Sequence, residues 1–359
     1  EGSASVRRLF LDNARMWLTE YHMDGLRLDA TDQLYDDGTP HFLAELTAAI
    51  DAVPGWNRIL IAEDHRNLNT VVQSRDNGGY GLDGVWVDDF HHLIRNHIAG
   101  DEELYFAGYK DSTAQQIADT INTNWFYTGQ VAHHWGKARG SDPSGQTPDQ
   151  AVFCIQNHDQ IGNRPLGSRL TADTSRDQYR AASALLLFCP QLPLLFQGQE
   201  WAASAPFLFF SDHEPELGTK VTAGRKKEFA GFSGFSGEVP DPQDPSSFER
   251  SKLDWSEVGD AHHAPILDLY RDLLALRREL PHGKAHATAQ GESLLTVQRG
   301  NFLLAACLRG TGSIQTLEWT DAHIVIDSAA ERYGNGGPYR TPNRGALRFE
   351  RPAAVILRR

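Results

Sequence analysis

The stretch that decides the fold is Asp24-Gly25-Leu26-Arg27-Leu28-Asp29-Ala30, in which apolar residues alternate with polar ones until a carboxylate ends the run. Alternation over so short a segment predicts a β-strand. An amphipathic helix is predicted before it, over residues 5–21, where apolar residues recur at helical spacing. A second helix over residues 41–52 and a second strand over residues 58–63 follow. Helix, strand, helix, strand is the order of a parallel α/β sheet.

Three further predicted strands share one property with the first two. They cover residues 84–89, 151–159 and 192–200. Each strand is apolar through its body and finishes in carboxylate, His, Gln or Asn side chains. A (β/α)8 TIM barrel has this layout, because apolar side chains fill its interior while the chemistry lies at the carboxyl ends of its strands. Five strands are predicted and a closed barrel has eight, so three βα units are missing.

The character of the sequence changes at about residue 285. From there, short apolar runs alternate with Gly-rich turns, which predicts a small antiparallel β-sandwich domain. We therefore expect residues 1–284 to belong to a catalytic barrel and residues 285–359 to form the second domain. Residues 210–252, rich in Gly, Pro, Ser and Asp, are too many for a plain connection and are expected to be functional or mobile.

Composition excludes several classes of partner. With 34 Lys+Arg against 47 Asp+Glu, the formal charge of −13 argues against a nucleic-acid or anionic-membrane partner, since either would be repelled. The three cysteines lie far apart in apolar runs, so neither a disulfide framework nor a zinc site is expected. This cysteine usage favours a reducing cytoplasm. No residue pattern requires a cofactor or a metal.

Three carboxyl groups stand out as candidates for chemistry. Asp29, Glu63 and Asp159 fall at the ends of three predicted strands, which in a barrel directs them into one cleft. Glycoside hydrolysis requires paired carboxyl groups, one to attack or stabilise the anomeric carbon and one to protonate the leaving oxygen. Arg27, on the strand face of Asp29, favours its ionised form. Glu63 follows four apolar residues, which favours its protonated form near neutral pH. A single strand-end Asp is equally well explained as a loop cap or an ion-pair partner, but three in this order favour catalysis.

At these residues the sequence resembles a known enzyme family. Residues 24–30, 62–64 and 156–160 are similar to the second, third and fourth signature regions of the α-amylase superfamily, glycoside hydrolase family 13. Further segments narrow the resemblance to its maltooligosyltrehalose trehalohydrolase branch; they are residues 88–92, 157–164, 196–203, 206–213, 224–229 and 251–255. The resemblance covers about residues 6–280.

The resemblance implies hydrolysis of the α-1,4-glucosidic bond next to the terminal trehalose of maltooligosyltrehalose, with release of trehalose by a retaining double displacement. It implies that Asp29 is the nucleophile, that Glu63 is the general acid and then the base, and that Asp159 grips the ring hydroxyls. The residues expected to bind this substrate or related α-glucans are Arg27, His158, Asp88, Asp89, His91, Asn163, Arg164, Gln199, Glu200, Trp201 and Phe207.

The sequence also departs from the family pattern. Gln33 stands where the superfamily usually has a His or Asn four residues after the nucleophile. The first signature region and the first three βα units are not found. We therefore expect the chain to be a C-terminal portion of the enzyme, with strands 4 to 8 of the barrel, and its N-terminal portion to be a companion segment.

Several alternatives stay open at this stage. Trp201 is placed equally well as a sugar platform or in the core, and Asp88 and Asp89 nearly equally well as substrate ligands or structural residues. The charge run 225–227 fits a solvated helix end better than a site. The histidine pairs at 91–92 and 133–134 fit substrate contact or loop packing better than metal binding.

Two other functions remain compatible with the three carboxyl groups. One is a related α-glucan branching or debranching enzyme. The other is a barrel subunit that binds carbohydrate without hydrolysing it.

Overall fold

A parallel sheet of five strands lies at the centre of the first part of the chain. The computed structural model of the protein describes every residue except 1, 56, 103, 133–134, 230–237, 335–341 and 344. The strands of this part, including the separate hairpin of β4 and β5, are β1 (Gly25–Leu28), β2 (Ile59–Glu63), β3 (Gly84–Trp86), β4 (Val131–Ala132), β5 (Lys137–Ala138), β6 (Ala151–Phe153) and β7 (Leu192–Pro193). The sheet order β1-β2-β3-β6-β7 follows the chain, and every neighbouring pair is parallel.

Helices connect and cover these strands. They are α1 (Ala4–Thr19), α2 (Phe42–Asp51), α3 (Asp88–Ala99), α4 (Ala114–Thr123), α5 (His158–Gly162), α6 (Leu170–Asp173), α7 (Arg176–Phe188), α8 (Pro215–Phe229), α9 (Pro245–Ser251) and α10 (Ala264–Arg277). Leu60, Val85 and Phe153 are buried in the strands beneath them. Strands covered on both faces are apolar in this continuous way, and the alternating helices and strands build an arc of a TIM barrel.

The predicted strand bodies are confirmed, but three carboxyl ends were placed too far along the chain. β3 ends at Trp86 and Asp88 begins α3, while β6 ends at Phe153 and His158 begins α5. The change at α5 is made by Asn157, whose side-chain oxygen accepts the backbone N–H of Gln160 at 2.9 Å. This contact is an N-cap, which starts a helix by satisfying a free backbone donor. β7 likewise gives way to a short 3-10 turn at Gln199–Trp201.

The long segment 210–252 is not a plain loop. It contains α8 and α9, and the side chain of Asp244 caps α9 by accepting the N–H of Ser246 at 2.8 Å. Residues 230–237, between the two helices, lie outside the described part of the chain. The segment therefore forms two helices, one on each side of residues 230–237.

The C-terminal part folds as the predicted antiparallel sandwich. Its strands are β8 (His286–Ala289), β9 (Leu294–Arg299), β10 (Phe302–Cys307), β11 (Gly312–Gln315), β12 (His323–Asp327), β13 (Pro342–Asn343), β14 (Ala346–Phe349) and β15 (Ala353–Arg358). A five-stranded sheet, β12-β15-β10-β9-β8, faces a three-stranded sheet, β11-β14-β13. Leu303, Ile314 and Leu347 pack between the two. The division at residues 284 and 285 stays a prediction.

One continuous hydrophobic core joins the sandwich to the barrel. Leu304 and Ile356, on the other face of the large sheet, share this core with Phe188 of α7 and Tyr270 of α10. Full burial of each such side chain contributes about 1.5–3 kcal/mol.

Two arginines add hydrogen bonds to this contact between the barrel and the sandwich, at the end of α7. Arg277 donates to the carbonyls of Leu187 at 2.8 Å and Cys189 at 2.6 Å, and Arg299 donates to the carbonyl of Phe188 at 2.9 Å. The last carbonyls of a helix have no partner within it, so cations placed there satisfy them and complement the helix dipole. Arg277 belongs to the barrel and Arg299 to the sandwich, so both parts hold the same helix end.

An exposed apolar region lies at the β1 edge of the parallel sheet. Val6, Leu9 and Phe10 of α1 are more than half exposed. Within the described ranges, no helix combines the length and the apolar character needed to cross a bilayer. The three cysteines are buried and free.

Candidate active site

The three predicted catalytic carboxyl groups meet at the carboxyl edge of the parallel sheet. Asp29 directly follows β1, Glu63 is the last residue of β2, and Asp159 is the second residue of α5. The charges of Asp159 and Asp29 both act on the pKa of Glu63. The barrel edge therefore brings together three groups that lie far apart in the sequence.

Arg27 connects the first two of these carboxylates. Its Nη1 atom donates to Oδ1 of Asp29 at 2.5 Å, and its Nη2 atom lies 2.7 Å from Oε2 of Glu63. The guanidinium lies over the ring of Trp86, 4.3 Å from its centre, which fixes its plane. The predicted pairing of Arg27 with Asp29 is therefore present, and the same arginine also reaches Glu63.

The backbone after β1 adds a further donor to Glu63. Ala30 has a left-handed conformation, with φ of 44°, and its N–H donates to Oε2 of Glu63 at 2.9 Å. Such a conformation is uncommon for a residue with a side chain and is found most often where surrounding contacts demand it. The turn therefore ties the Asp29 segment to Glu63.

Glu63 and Asp29 have different surroundings. The side chain of Asp29 is 78% exposed and that of Glu63 only 24%. Burial raises the pKa of Glu63, and the negative charges of Asp159 and Asp29 raise it further, against the opposing Ala30 hydrogen bond and Arg27 charge. A carboxyl group whose pKa is raised keeps its proton to higher pH, which suits a general acid.

The third carboxylate is accompanied by an imidazole. Nε2 of His158 lies 3.5 Å from Oδ1 of Asp159, and both side chains are 44% exposed. The His158 ring meets the edge of Trp86, with ring centres 6.0 Å apart. Trp86 therefore contacts both Arg27 and His158, and it links the two sides of the site.

A cavity of about 380 Å³ opens beside Asp159. Its lining includes His65, Asp88, Trp135 and Asn163. Trp135 is held between the Arg139 guanidinium, 4.9 Å from its ring centre, and the His65 ring at 5.0 Å. Aromatic faces with a few polar groups are typical of sugar-binding pockets.

Comparison with known proteins identifies the family of the chain. The chain is 50% identical over 321 residues to the malto-oligosyltrehalose trehalohydrolase of Deinococcus radiodurans, covering 88% of this chain and 51% of that protein. It is 38% identical over 350 residues to the enzyme of that name from Mycobacterium tuberculosis, covering 92% of this chain and 60% of that protein. The chain belongs to the malto-oligosyltrehalose trehalohydrolase family.

Solved structures place this family in the α-amylase fold. A crystal structure of a candidate alpha amylase from Salmonella typhimurium matches with a TM-score of 0.86 and 29% identity, over 99% of this chain and 60% of that one. The alpha-amylase of H. orenii matches with a TM-score of 0.56 at 14% identity, over 99% of this chain and 64% of that one, and shows the fold alone. No family model matched the chain. The chain spans about half the length of the curated trehalohydrolases that it matches.

Some of the predicted substrate-binding residues of this trehalohydrolase-family chain lie at the site. Asp88 and Asn163 line the cavity beside Asp159. His91 is buried, and its Nε2 atom lies 3.2 Å from Oδ1 of Asp88. Burial by itself raises the pKa of Asp88, but the His91 contact and nearby positive charges outweigh it and lower that pKa. His91 therefore acts on the cavity through Asp88.

Asp89 does not face the cavity. Its side chain is fully buried, and five donors surround it at 2.5 to 3.1 Å. They are the Asn67 amide, the Tyr109 hydroxyl, the N–H groups of Phe126 and Tyr127, and the Arg139 guanidinium. No room is left for a sugar hydroxyl, so Asp89 holds the loops around the site and does not bind substrate.

Two other predicted ligands are also engaged elsewhere. Arg164 pairs with Asp101 at 2.6 Å and with Asp173 at 3.1 Å. Gln199 is fully buried and donates to the Tyr270 hydroxyl at 3.0 Å. Each side chain is taken up by a partner in the protein, which leaves it little capacity to bind a sugar.

Trp201 is a core residue. It is 2% exposed, and its indole N–H donates to Glu257 at 3.1 Å. Glu200 is half-buried in the same turn. Phe207 packs on Phe196, with ring centres 5.1 Å apart, and lies beside Gly162 of α5, so it supports the site from below.

Sequence reasoning missed part of the cavity. His65 comes two residues after Glu63, so its position just beyond a strand end could have indicated it. Trp135 and Arg139 come from the long connection between β3 and β6, where nothing in the spacing marks them. Residues 133–134, the second histidine pair, lie outside the described part of the chain. In the remainder, no cluster of three or more His, Cys, Asp or Glu suits a metal ion.

Proposed function

We propose that the protein hydrolyses the α-1,4-glucosidic bond next to the terminal trehalose of malto-oligosyltrehalose and releases trehalose. The observation that carries this proposal is the pair formed by exposed Asp29 and sheltered Glu63, joined by Arg27 at the carboxyl edge of a barrel. This asymmetry is what a nucleophile and an acid need. The likeness to named trehalohydrolases supplies the choice of bond.

In the first step, Glu63 gives its proton to the oxygen of the scissile bond while Asp29 attacks the anomeric carbon. The trehalose end leaves as an alcohol, and a glycosyl ester forms on Asp29. Ester formation removes the negative charge of Asp29, which had been raising the pKa of Glu63. The pKa of Glu63 then falls, so the same residue becomes the base that activates water in the second step.

Asp159 and His158 are proposed to bind hydroxyl groups of the scissile glucose. Both are half exposed at the cleft, and their mutual contact of 3.5 Å is long enough to leave each free to turn toward a sugar. Hydrogen bonds of this kind accelerate the reaction when they strengthen as the ring flattens. The cavity at Trp135 is proposed to hold an adjoining sugar ring.

We further propose that a companion segment with the remaining barrel strands covers the apolar surface around α1. Phe10, Trp17 and Leu34 border a groove of about 530 Å³ there, next to β1 and Asp29. Exposed apolar patches of this kind mark interfaces. A cytoplasmic location is proposed because three free, buried thiols suit a reducing compartment.

The test is to incubate the intact protein with maltotriosyltrehalose and, separately, with starch. Each turnover is expected to consume one water and give one maltotriose and one trehalose. New branch points or transferred glucan without trehalose would support a branching enzyme instead. Binding without any product would support a carbohydrate-binding subunit. The matched control is Glu63→Gln, which should bind substrate and release trehalose about 10³-fold more slowly.

A further inference from the structure

The segment between β7 and α10 contributes an arginine, Arg225, that contacts the candidate site. Arg225 of α8 donates from Nη2 to the carbonyl of Gly162 at 2.8 Å and from Nη1 to the side-chain oxygen of Asn163 at 3.1 Å. Gly162 is the last residue of α5, the helix whose second residue is Asp159. A residue far along the chain therefore holds the end of the helix that carries a proposed catalytic carboxylate.

The guanidinium of Arg225 is enclosed, in contrast to the solvated helix end expected for this charge run. It lies between two aromatic rings, 4.6 Å from the centre of Phe209 and 4.5 Å from that of Phe229. Its side chain is 11% exposed, while the neighbouring Lys226 and Lys227 are exposed. Stacking on two rings fixes the plane of the guanidinium, which only arginine can present in this way.

Helix α5 is too short to hold itself in place. Its start is capped by Asn157, and its end is closed by the N–H of Asn163, which donates to the carbonyl of Asp159 at 2.9 Å. A helix of five residues gains little from its own hydrogen bonds, because most of its backbone groups lack partners within it. A positive donor at its carboxyl end satisfies one such group and complements the dipole. Asn157 and Arg225 together fix both ends.

We propose that Arg225 is a positioning residue that sets the orientation of Asp159 and Asn163 through α5. The proposal rests on the proposed function, since it assigns Arg225 to the same reaction. Arg225 contacts Gly162 and Asn163 and acts on the sugar only through α5. Loss of the contact lets α5 shift, and small displacements of a catalytic group reduce rate more than substrate affinity.

The experiment compares Arg225→Met, Arg225→Lys and Lys227→Met in the intact protein. Lys227 is the matched control because it is a cation on the same helix that is exposed to solvent. Arg225→Met is expected to lower kcat about 30- to 100-fold and to change KM less than about threefold. Arg225→Lys keeps the charge but loses the planar fork of donors, so it should retain about a tenth of the wild-type kcat. Lys227→Met should match wild type.

Hydrogen exchange of the backbone amides of residues 159–164 is the second readout. Exchange there is expected to rise in Arg225→Met and not in Lys227→Met. Equal kcat and equal exchange in these two variants would overturn the proposal. If the methionine variant does not fold, Arg225→Lys decides: a partial fall in kcat with raised exchange supports the proposal, and wild-type values for both contradict it. If wild type releases no trehalose, the proposed function fails, while the exchange result still decides whether Arg225 holds α5.

Discussion

Glu63 and Asp89 are two carboxylates at the same edge of the barrel, close to the ends of neighbouring strands, and the protein treats them in opposite ways. Glu63 has one backbone donor and one arginine, with two negative charges nearby. Asp89 is fully buried among five donors. A carboxylate saturated with donors holds the surrounding loops together, whereas the raised pKa of the sheltered Glu63 lets it carry a proton to higher pH. The number of hydrogen-bond donors around a carboxylate, more than its position in the barrel, therefore distinguishes a candidate catalytic group from a structural one.

The largest effect is expected on the chemical side of this comparison. Asp29→Asn removes the nucleophile and should lower kcat about 10⁴-fold or more, and Glu63→Gln removes the acid and should lower it about 10³-fold. Thermal melting should stay within a few degrees of wild type, since neither group is saturated with partners. Initial rates of trehalose release measure the first quantity. Asp37→Asn, an exposed carboxylate in the same loop, is the control. A rate for Asp29→Asn close to that of the control would rule out this assignment.

Substitution of Asp89, the structural carboxylate of this comparison, should lower the stability of the protein. Both oxygens of Asp89 accept from donors, so Asp89→Asn places an amide nitrogen against one set of them and leaves Arg139 without its buried counter-charge. Breaking such a pair is expected to cost about 3 kcal/mol of unfolding free energy. Urea unfolding measures this loss. A variant of unchanged stability with a low kcat would instead place Asp89 among the residues that bind substrate.

The sequence could locate the edge of the barrel at which the candidate catalytic carboxyl groups lie, but not the direction in which each side chain on that edge points. Asp29, Glu63 and Asp159 were found because strand bodies are visible as apolar runs and their ends are where a barrel does chemistry. Asp88 and Asp89 are adjacent, and only the start of α3 decides that one lines the cavity while the other turns inward. A helix turns about 100° per residue, so neighbours in sequence face different surroundings.

Other parts of the site depend on contacts that no local pattern records. Trp135 reaches the cavity from a long connection, and Arg225 reaches α5 from the segment after β7. Arg225 was expected to be solvated because its neighbours in sequence are charged. The two phenylalanine rings that enclose it are visible only once the chain is folded.

Arg27 gives a sharper test of the difference between the two carboxylates. Arg27→Met removes the charge that opposes protonation of Glu63, so the pKa of Glu63 should rise further. The rate is expected to fall about 10- to 100-fold, because Asp29 loses the hydrogen bond from Arg27 at 2.5 Å that orients it. The alkaline limb of the kcat/KM profile should move to higher pH. A limb that stays in place would show that another group titrates there.

The smallest effect expected is on the stability of Glu63→Gln. Because folding raises the pKa of Glu63, the folded protein binds more protons than the unfolded chain in the window above the ordinary glutamate pKa, and stability falls as pH rises through it. The glutamine variant lacks this loss. Its melting temperature relative to wild type should therefore be higher at neutral pH than at pH 4, as measured by calorimetry. A difference that does not change with pH would contradict the raised pKa.

The paired arginines at the end of α7 have a consequence for anyone who wishes to trim or fuse this protein. Arg299 stands on β9, so a product that stops before the sandwich exposes a helix end that has lost half of its anchoring, together with the apolar side chains that Leu304 and Ile356 had covered. The architecture changes near residue 284, but the hydrophobic core and the hydrogen bonds continue across that position. A stable fragment would have to keep both sides of it.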